Sequence, residues 1–292
     1  MLSKTNFIIL GAFAAWQSDK IVCPASNEWV ETLDFHIGGK RALITGASGG
    51  IGHAAARYLA EEGVRLTLSD EDAAKLSEMA REMGADHAAA DLSSTKGCEE
   101  LIGKIGTDFD IWVHATGVTG AKGDPLEMSD EDWDDALNID FLSAVRLARH
   151  LCRPMIDRGW GRVVFVTSEN VAQPYPDETV YNSAKSALLS FSKSVAMQHS
   201  KSGLLVNCVA PAFIETPMTD GMMEKRAKEI DVSKEEAIES FLKEDRPYLV
   251  LGRRGKAEEV GAVIAMLCSE QASFVTGANW RVDGGSVGSI NV

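Results

Sequence analysis

The sequence is poor in cysteine, and its few cysteines exclude two common uses of this residue. The 292 residues include five cysteines, which are scattered along the chain and form no CxxC pair. An odd and scattered set indicates neither a zinc site nor a disulfide framework. We therefore expect a protein of a reducing compartment, the cytoplasm, that holds no metal.

Basic runs are also missing, as is any long apolar run. Lys and Arg total 29 against 43 Asp and Glu, for a net charge of -14, which disfavours a nucleic-acid partner. The apolar run at residues 7–16 is far shorter than the roughly 20 residues of a transmembrane helix. It forms a weak signal-peptide pattern without a clean cleavage site. We interpret residues 1–39 as an N-terminal extension and expect no membrane partner.

From residue 40 onward, short apolar runs alternate with longer segments of helical periodicity, a pattern typical of a parallel sheet with crossover helices. The candidate strands are RALIT at 41, VRLTLS at 64, HAAA at 87, DIWVHA at 110, RVVFVTS at 162, LLVNCVA at 204 and NWRVD at 279. We predict an α/β protein in which residues 40–292 form one Rossmann-type domain. Its doubly wound parallel sheet has seven strands flanked by helices.

Three helical segments stand out between these strands. Residues 129–155 and 179–200 are long and amphipathic. Because they carry more apolar surface than one sheet face covers, we expect a homotetramer or a homodimer. Residues 218–250 interrupt the alternation and include a capping box at Ser233 and Glu236. We predict that this segment is a helical lid over the substrate.

A glycine-rich turn follows the first candidate strand. In TGASGGIG, residues 45–52, four glycines precede a helix-forming run. Such glycines let the backbone approach a pyrophosphate, and the helix N-terminus supplies unpaired N–H groups. The spacing is GxxxGxG and differs from the general dinucleotide pattern GxGxxG. On its own, this segment is therefore also consistent with a turn that binds no ligand.

Two carboxylates follow the next two candidate strands. Asp70 ends the second strand, where it can accept hydrogen bonds from the adenosine ribose and repel a 2′-phosphate. The next residues, Glu71 and Asp72, add no positive charge, so the sequence favours NAD over NADP. Asp91 follows the third strand and can bond the adenine amino group. Both Asp70 and Asp91 are also possible helix caps.

Tyr181 and Lys185, four residues apart in YNSAK and thirteen residues after Ser168, indicate hydride-transfer chemistry. A phenol has an unperturbed pKa of about 10, so a tyrosine that takes a proton near neutrality needs a neighbouring cation. Residues i and i+4 share a helix face, and charges about 4 Å apart interact by roughly 4 kcal/mol at an effective dielectric of about 20. We therefore predict that Lys185 lowers the pKa of Tyr181 by about 2 to 3 units.

These motifs resemble those of the short-chain dehydrogenase/reductase family. TGASGGIG matches the family's TGxxxGxG, YNSAK its YxxxK, Ser168 stands at its serine, and VDGG at 282–285 resembles the end of its last strand. The similarity runs from about residue 40 to residue 285, and the separated motifs occur in the required order. It implies reversible oxidation of a secondary alcohol to a ketone, with NAD as cofactor and a small-molecule substrate.

The resemblance also implies the site residues. In the family the tyrosine is the general base or acid, the lysine orients the nicotinamide ribose, the serine holds the substrate oxygen, and an asparagine anchors a water for proton relay. These roles fall on Tyr181, Lys185, Ser168 and Asn138. The predicted cofactor-binding residues are Thr45, Gly46, Ser48, Gly50, Ile51, Gly52, Asp70, Asp91, Leu92, Ala115, Gly117, Tyr181, Lys185, Pro211, Ile214 and Thr216.

The chain departs from the family pattern at two places. Where the family has NNAG after its fourth strand, this chain has HATG, so His114 replaces an asparagine that stabilises the central sheet. We expect His114 to take this structural role, with a titratable group beside the cofactor as the alternative. Ala212 replaces the glycine usual after Pro211, which affects the expected loop shape and not the chemistry.

Three other functions stay open at this point. A ketoacyl-thioester reductase shares the motifs, although such enzymes usually use NADP and a basic residue near Gly49. A non-catalytic dinucleotide-binding protein of this fold would keep the motifs without turnover. The same glycine-rich turn also satisfies GxSxG, the hydrolase nucleophile elbow, with Ser48 as nucleophile and His199 downstream. The family's enoyl reductases have a wider tyrosine-to-lysine spacing than YNSAK.

Overall fold

The computed structural model describes the backbone of residues 20–22 and 29–31 and the chain from residue 34 to residue 290. Met1–Phe35 and His36–Val292 form two separate units. In the first unit, strands β1 (Lys20–Val22) and β2 (Trp29–Glu31) pair antiparallel. The apolar run at residues 7–16 lies outside the described residues.

In the second unit, strands and helices alternate along the chain. The main sheet contains β3 (Arg41–Thr45), β4 (Arg65–Ser69), β5 (Asp86–His87), β6 (Ile111–His114), β7 (Gly161–Val166), β8 (Leu204–Pro211) and β11 (Asn279–Val282). Two short strands, β9 (Ile214–Glu215) and β10 (Gly255–Lys256), pair with each other in parallel.

Nine helices lie between or after these strands in the described part of the chain. They are α1 (Gly50–Glu61), α2 (Ala73–Met83), α3 (Thr95–Ile105), α4 (Asp130–Leu137), α5 (Ser143–Arg158), α6 (Thr179–His199), α7 (Pro217–Glu229), α8 (Lys234–Glu244) and α9 (Ala257–Cys268). Within the same described residues, no helix has the length and hydropathy that a bilayer span requires.

The main sheet is parallel throughout, with the strand order β11-β8-β7-β6-β3-β4-β5. The chain builds outward from β3 to β5, then crosses to β6 and builds outward in the opposite direction. The order therefore reverses between β3 and β6. Ligands of such sheets bind outside the carboxyl ends of the strands at this point. The predicted doubly wound sheet of seven strands is confirmed.

The core fills both faces of this sheet. Strands β6 and β7 are buried along their whole length, as expected for parallel strands between two helical layers. On one face, Leu43, Trp112 and Phe165 pack with α3, α5 and α6, and the Trp112 and Phe165 rings meet edge to face at 5.3 Å. On the other face, α1 approaches α9 so closely that a Cβ on Gly261 would lie 2.8 Å from a backbone carbon of Ala54.

Two elements differ from the sequence prediction. The strand expected at HAAA is only two residues long, because β5 lies at the sheet edge and pairs with β4 alone. The helix expected over residues 129–155 is split into α4 and α5 by a π-helical turn, Asn138–Leu142. Ser143 Oγ donates to the Ile139 carbonyl at 2.6 Å, a bond that competes with the regular helix ladder. Ile139 lines the main cavity, in keeping with the frequent occurrence of π-turns at functional sites.

Residues 218–250, the predicted lid, contain most of α7 and all of α8. Both helices begin at capping boxes, and the one at Ser233 and Glu236 is the box that the sequence predicts. A small core joins the two helices to the loop after β8, and it contains Phe213, Met223, Phe241 and Leu249. Because Met223 of α7 and Phe241 of α8 share this core, the two helices pack against each other as one hairpin.

Candidate active site

A cavity of about 360 Å³ opens at the carboxyl ends of β3 and β6, where the strand order reverses. This volume is typical of small-molecule sites. It brings together most of the predicted site residues, namely Gly46, Ser48, Gly50, Ile51, Gly52, Asp70, Asp91, Leu92, Ala115, Gly117, Ser168, Tyr181, Lys185, Pro211, Ile214 and Thr216. Thr45 and Asn138 are not part of this lining.

The glycine-rich turn forms one end of the cavity and fits an anion. Gly46 has a φ of +72°, in the left-handed region, and a Cβ there would collide with the backbone of Ala115. A Cβ on Gly52 would overlap the carbonyl oxygen of Gly46. Helix α1 starts after Gly49 without a side-chain cap, so its first amide N–H groups are left for a ligand. These features fit the pyrophosphate of a dinucleotide.

Asp70 stands beside this turn at the end of β4. One carboxylate oxygen accepts the Ser48 N–H at 2.9 Å, and the other accepts the next backbone N–H at 2.8 Å. The carboxylate is thereby fixed where the adenosine ribose of a dinucleotide would lie. Lys75 on α2 also lines the cavity, a positive charge that the sequence analysis overlooked. Asp91 accepts the Ser93 N–H at 2.9 Å, which lowers the pKa of Asp91.

Ser168, Tyr181 and Lys185 meet in the cavity wall, which residues of the 218–250 segment also line. Ser168 is two residues beyond β7, and the other two lie one turn apart on α6. Lys185 Nζ is 5.7 Å from the centre of the Tyr181 ring and donates to the Val166 carbonyl at 3.2 Å. The Ser168 hydroxyl lies close enough to the phenol to lower its pKa. A cation and a hydroxyl therefore flank a group that can take or give a proton.

The pKa of Tyr181 is shifted in the direction opposite to the sequence prediction. Burial raises the pKa of Tyr181, whereas the Lys185 ammonium and the Ser168 hydroxyl lower it. The Asp140 carboxylate acts in the same direction as burial, and the net pKa of Tyr181 lies above its ordinary value. Lys185 thus has the effect that the spacing predicts, but this effect is outweighed.

Asp140 is a member of the site that the sequence analysis missed. It is fully buried in the π-helical turn, and its Oδ1 lies 3.1 Å from Lys185 Nζ and accepts the Val118 N–H at 3.1 Å. Gly117 leaves room for this pair, because a Cβ there would lie 2.6 Å from Asp140 Oδ1 and 2.8 Å from Lys185 Nζ. The glycine of HATG is therefore required by the Asp140–Lys185 contact.

Asn138 stands at the start of the same turn with its side chain held by neighbouring helical residues. Its Nδ2 donates to the Asp134 carbonyl at 2.8 Å, and its Oδ1 accepts from Arg146 at 2.6 Å. The predicted water-anchoring role of Asn138 stays a prediction.

His114 links the sheet to the helical layer. Its Nδ1 bonds Thr45 Oγ1 at 2.8 Å, and its Nε2 bonds Ser143 Oγ at 3.1 Å. Burial lowers the pKa of His114 to about 3, and the Lys185 ammonium adds to the lowering. The imidazole is therefore neutral at physiological pH. This geometry matches the structural role that the sequence analysis favours.

Replacing His114 with asparagine is expected to reduce the sensitivity of the fold to acid. As pH falls below about 6.5, the unfolded chain binds a proton at this histidine that the folded chain refuses until about pH 3. Between pH 7 and pH 4 this uptake costs the wild type about 3 kcal/mol of stability. Urea unfolding at both pH values measures the difference, with the exposed His150→Asn as control. An equal loss in wild type and His114→Asn would show that the ring is not held neutral.

A buried polar network surrounds Ser168. Asn170 Oδ1 accepts the Ser168 hydroxyl at 2.9 Å, and Asn170 Nδ2 donates to Glu178 at 2.6 Å and to Asn182 at 2.8 Å. Asn182 in turn donates to the Tyr175 carbonyl at 2.7 Å. Both amide orientations are fixed by these partners. The network therefore draws the Ser168 proton toward Asn170, while the Ser168 oxygen accepts the Asn170 backbone N–H at 3.2 Å and keeps one lone pair for a donor in the cavity.

Arg246 joins the lid to this network. Its guanidinium stacks on the Tyr175 ring at 3.5 Å, with Nη2 3.3 Å from Glu178 and Nε 3.6 Å from Glu169. Lys122, from the loop after β6, donates to the same Glu178 at 2.6 Å. Two cations and two carboxylates form a charge-balanced wall. Sequence reasoning missed this wall because its members are far apart in the chain.

The structure does not support the hydrolase alternative, because its candidate catalytic base lies away from the cavity. Ser48 lies in the glycine-rich turn, but His199 ends α6, about five helical turns beyond Tyr181. His199 is not among the residues that line the cavity. The turn therefore acts as a backbone cradle and lacks the arrangement of a nucleophile elbow.

Comparison with known proteins identifies the family. A family model described as enoyl-(acyl carrier protein) reductase matches residues 46–287. Nodulation protein G of Rhizobium sp. strain N33 is 36% identical over 256 residues, which cover 86% of this chain and 98% of that protein. The 3-oxoacyl-(acyl-carrier-protein) reductase of Rickettsia conorii is 32% identical over 249 residues, with coverage of 85% and 96%.

A solved structure gives the same result. The L-sorbose reductase of Gluconobacter frateurii, complexed with NADPH and L-sorbose, matches with a TM-score of 0.82 and 31% identity over 88% of this chain and all of that chain. The fold and the cavity define an oxidoreductase built for a nicotinamide dinucleotide. The chain belongs to the short-chain dehydrogenase/reductase family, as its motifs predict.

Proposed function

We propose that the protein interconverts a secondary alcohol and a ketone, with NAD as the hydride carrier. The observation that carries this proposal is the single cavity that has the glycine cradle at one end and Ser168, Tyr181 and Lys185 at the other. The substrate is a small molecule between these side chains and the lid. Neither a nucleic acid nor a membrane takes part.

The residues around the cavity suit each part of such a cofactor. The cofactor itself supplies or removes a hydride at the carbinol carbon. The glycine-rich turn would hold the pyrophosphate, Asp70 the adenosine ribose, and Lys185 the nicotinamide ribose. The adenine would meet Asp91 and Leu92, and the nicotinamide end would meet Ala115, Gly117, Pro211, Ile214 and Thr216.

Proton transfer is assigned to Tyr181. In alcohol oxidation its phenolate takes the hydroxyl proton, and in carbonyl reduction its phenol returns that proton to the oxygen. Ser168 holds the same substrate oxygen, and its own orientation is set by Asn170. Lys185 stabilises the phenolate by charge. Asn138 is the proposed anchor of a water that exchanges the proton with solvent.

The preference for NAD is tested by changing Asp70 to asparagine. The Asp70 carboxylate would repel a 2′-phosphate beside it. Two unit charges about 4 Å apart repel each other by roughly 1 to 4 kcal/mol, depending on the local dielectric. We expect kcat/KM with NAD to exceed that with NADP at least about tenfold in the wild type. In Asp70→Asn this ratio falls by at least about tenfold, while the Ser48 N–H keeps an acceptor.

A positive charge on Lys75 would act against Asp70 and favour NADP over NAD. If its ammonium neutralises a 2′-phosphate, the wild type prefers NADP and Lys75→Ala removes that preference. A wild type with this behaviour overturns the NAD assignment. The same kinetic measurements serve both variants, so one set of assays decides between the two residues.

An NADP-dependent ketoacyl-thioester reductase is the second candidate. A relative with that activity in its name is 32% identical, and the sorbose reductase structure contains NADPH. Against this candidate stands the fixed Asp70 carboxylate. The spacing of Tyr181 and Lys185 does not favour an enoyl reductase. A non-catalytic dinucleotide-binding protein is disfavoured because Ser168, Tyr181 and Lys185 share one cavity.

A substrate panel tests the proposed reaction. Secondary alcohols, polyols, hydroxysteroids, hydroxy acids and ketoacyl thioesters are each assayed by nicotinamide absorbance, with NAD and with NADP. We expect NAD-dependent turnover of at least one alcohol or its ketone. Turnover of ketoacyl thioesters alone, with NADP, would favour the second candidate. Dinucleotide binding without any turnover would favour the non-catalytic alternative.

Location and assembly belong to the same proposal. Four cysteines of the described chain are buried and unpaired, which suits a reducing, cytoplasmic location. We also propose a homotetramer or a homodimer, on the basis of the apolar surface of the long helices. Sedimentation of the purified protein measures this, and a monomer at micromolar concentration would contradict it.

A further inference from the structure

A buried carboxylate touches the lysine of the active site. Asp140 Oδ1 lies 3.1 Å from Lys185 Nζ, and both side chains are almost completely excluded from solvent. The second oxygen, Oδ2, has no hydrogen-bond partner. An isolated buried carboxylate is costly, so its location against Lys185 requires a physical reason.

We propose that Asp140 is a positioning residue whose negative charge offsets the positive charge of Lys185 and keeps Tyr181 protonated from neutral pH into the alkaline range. The site then already holds the proton that carbonyl reduction consumes. This inference rests on the proposed function, because only a hydride-transfer enzyme uses that proton. It adds that, at neutral pH, the site is prepared for carbonyl reduction rather than for alcohol oxidation.

The geometry favours the charged form of the pair. Burial has the largest single effect on Lys185 and would lower its pKa, but Asp140, Tyr181 and Cys208 together raise that pKa above its ordinary value, with Asp140 the largest of the three. Burial raises the pKa of Asp140 above its ordinary value, although the Lys185 ammonium and the Val118 N–H act against this rise and favour the carboxylate. A lysine held as a cation requires a nearby anion, and Asp140 is the carboxylate in direct contact.

The other groups around Tyr181 come from several elements. On α6 it faces Lys185, after β7 it faces Ser168, and the turn before α6 contributes the Glu178 carboxylate. Lys185 in addition interacts with the Cys208 thiol on β8 and with the neutral His114 on β6. Glu178 has two cationic partners of its own, Lys122 and Arg246. Asp140 is therefore the carboxylate that acts directly on the Tyr181–Lys185 pair.

The consequence for the reaction follows from its proton balance. In reduction the carbonyl carbon accepts a hydride from the reduced nicotinamide, and the carbonyl oxygen accepts the Tyr181 proton. The alcohol forms, and a phenolate is left that solvent must reprotonate. With Lys185 unopposed, the phenolate would persist at lower pH. With Asp140 present, the phenol is restored near neutrality and the next reduction can begin.

Direct titration of Tyr181 tests the inference without any turnover. The protein contains four tyrosines, so the ultraviolet phenolate signal of Tyr181 is obtained by subtracting the titration of Tyr181→Phe. We expect the wild-type midpoint to lie above pH 7. In Asp140→Asn, which keeps an acceptor for the Val118 N–H, the midpoint falls by about one to two pH units. Asp135→Asn, an exposed carboxylate on α4, serves as control and leaves the midpoint unchanged.

Kinetics give a second readout. The acidic limb of the pH profile for alcohol oxidation is expected to move down by the same amount in Asp140→Asn, and the alkaline limb of the profile for carbonyl reduction is expected to move down with it. A wild-type midpoint below pH 7 overturns the inference even if the variant fails to fold. An unchanged midpoint in a folded variant does so as well. Loss of all turnover with a normal titration shift would instead count against the proposed function.

Discussion

Replacing Tyr181 with phenylalanine is expected to lower kcat for alcohol oxidation and for ketone reduction by about 10³-fold or more, while NAD affinity stays within a few-fold. General acid–base catalysis by a positioned side chain typically contributes about 10² to 10⁴ in rate. The loss falls at the upper end because Tyr181 is the assigned proton carrier in both directions. Steady-state kinetics and a fluorescence titration with NAD measure the two effects.

Tyr248→Phe is the matched control, because this tyrosine is 63% exposed and stands outside the cavity lining. Its kinetics are expected to equal those of the wild type. If Tyr181→Phe retains turnover, the assignment of the proton carrier is wrong. If it loses both turnover and NAD binding, the hydroxyl is needed to hold the cofactor, and its assignment as proton carrier alone is wrong.

Changing Gly52 to alanine is expected to weaken NAD binding by at least about 100-fold, equivalent to about 2.7 kcal/mol. A Cβ at this position would overlap the carbonyl oxygen of Gly46, so the turn must open and its N–H groups must leave the positions that suit a pyrophosphate. Calorimetric titration with NAD measures the loss of affinity, and thermal unfolding reports the state of the fold.

Gly103→Ala provides the comparison for this variant. Gly103 lies in the helix α3, and a Cβ there meets nothing within 4 Å. The substitution is expected to leave NAD affinity unchanged and to stabilise α3 by about 1 kcal/mol, the difference in helix propensity between the two residues. Wild-type NAD affinity in Gly52→Ala would place the pyrophosphate elsewhere in the cavity.

Much of the fold follows from local sequence patterns. Continuous apolar runs predicted the buried strands β6 and β7 correctly. Parallel strands between two helical layers carry hydrophobic side chains on both faces. The edge strand β5 was predicted too long, since small apolar residues such as those of HAAA do not distinguish a strand from the loop that follows it. The π-helical turn was not predicted, because the periodicity of residues 129–155 does not distinguish one continuous helix from two helices joined by such a turn.

Sequence motifs such as TGASGGIG and YNSAK made the residues within them predictable as members of the candidate site. Asp140 was missed, although the sequence carried a signal for it. Ala136, Asp140 and Ala144 are spaced by four residues, so the carboxylate falls on the apolar face of a helical segment. A charge on such a face needs a partner. The partner, Lys185, is 45 residues away and only the folded chain identifies it.

The network around Ser168 could not be predicted for a different reason. Asn170, Glu178 and Arg246 stand in loops and in the lid, where neither periodicity nor spacing restricts their partners. Arg246 and Glu178 are separated by 68 residues and meet only because the lid hairpin packs beside the turn before α6. Their role in orienting Ser168 is therefore a product of tertiary structure.

Transfer of a deuterium label tests the central claim most directly. Secondary alcohols deuterated at the carbinol carbon are incubated with the protein and NAD, and the nicotinamide product is examined by mass spectrometry. A hydride-transfer site predicts deuterium on the reduced cofactor with the wild type, and label transfer at least about 10³-fold slower with Tyr181→Phe. Tight binding of NAD and NADP without label transfer from any alcohol in the panel would contradict the account.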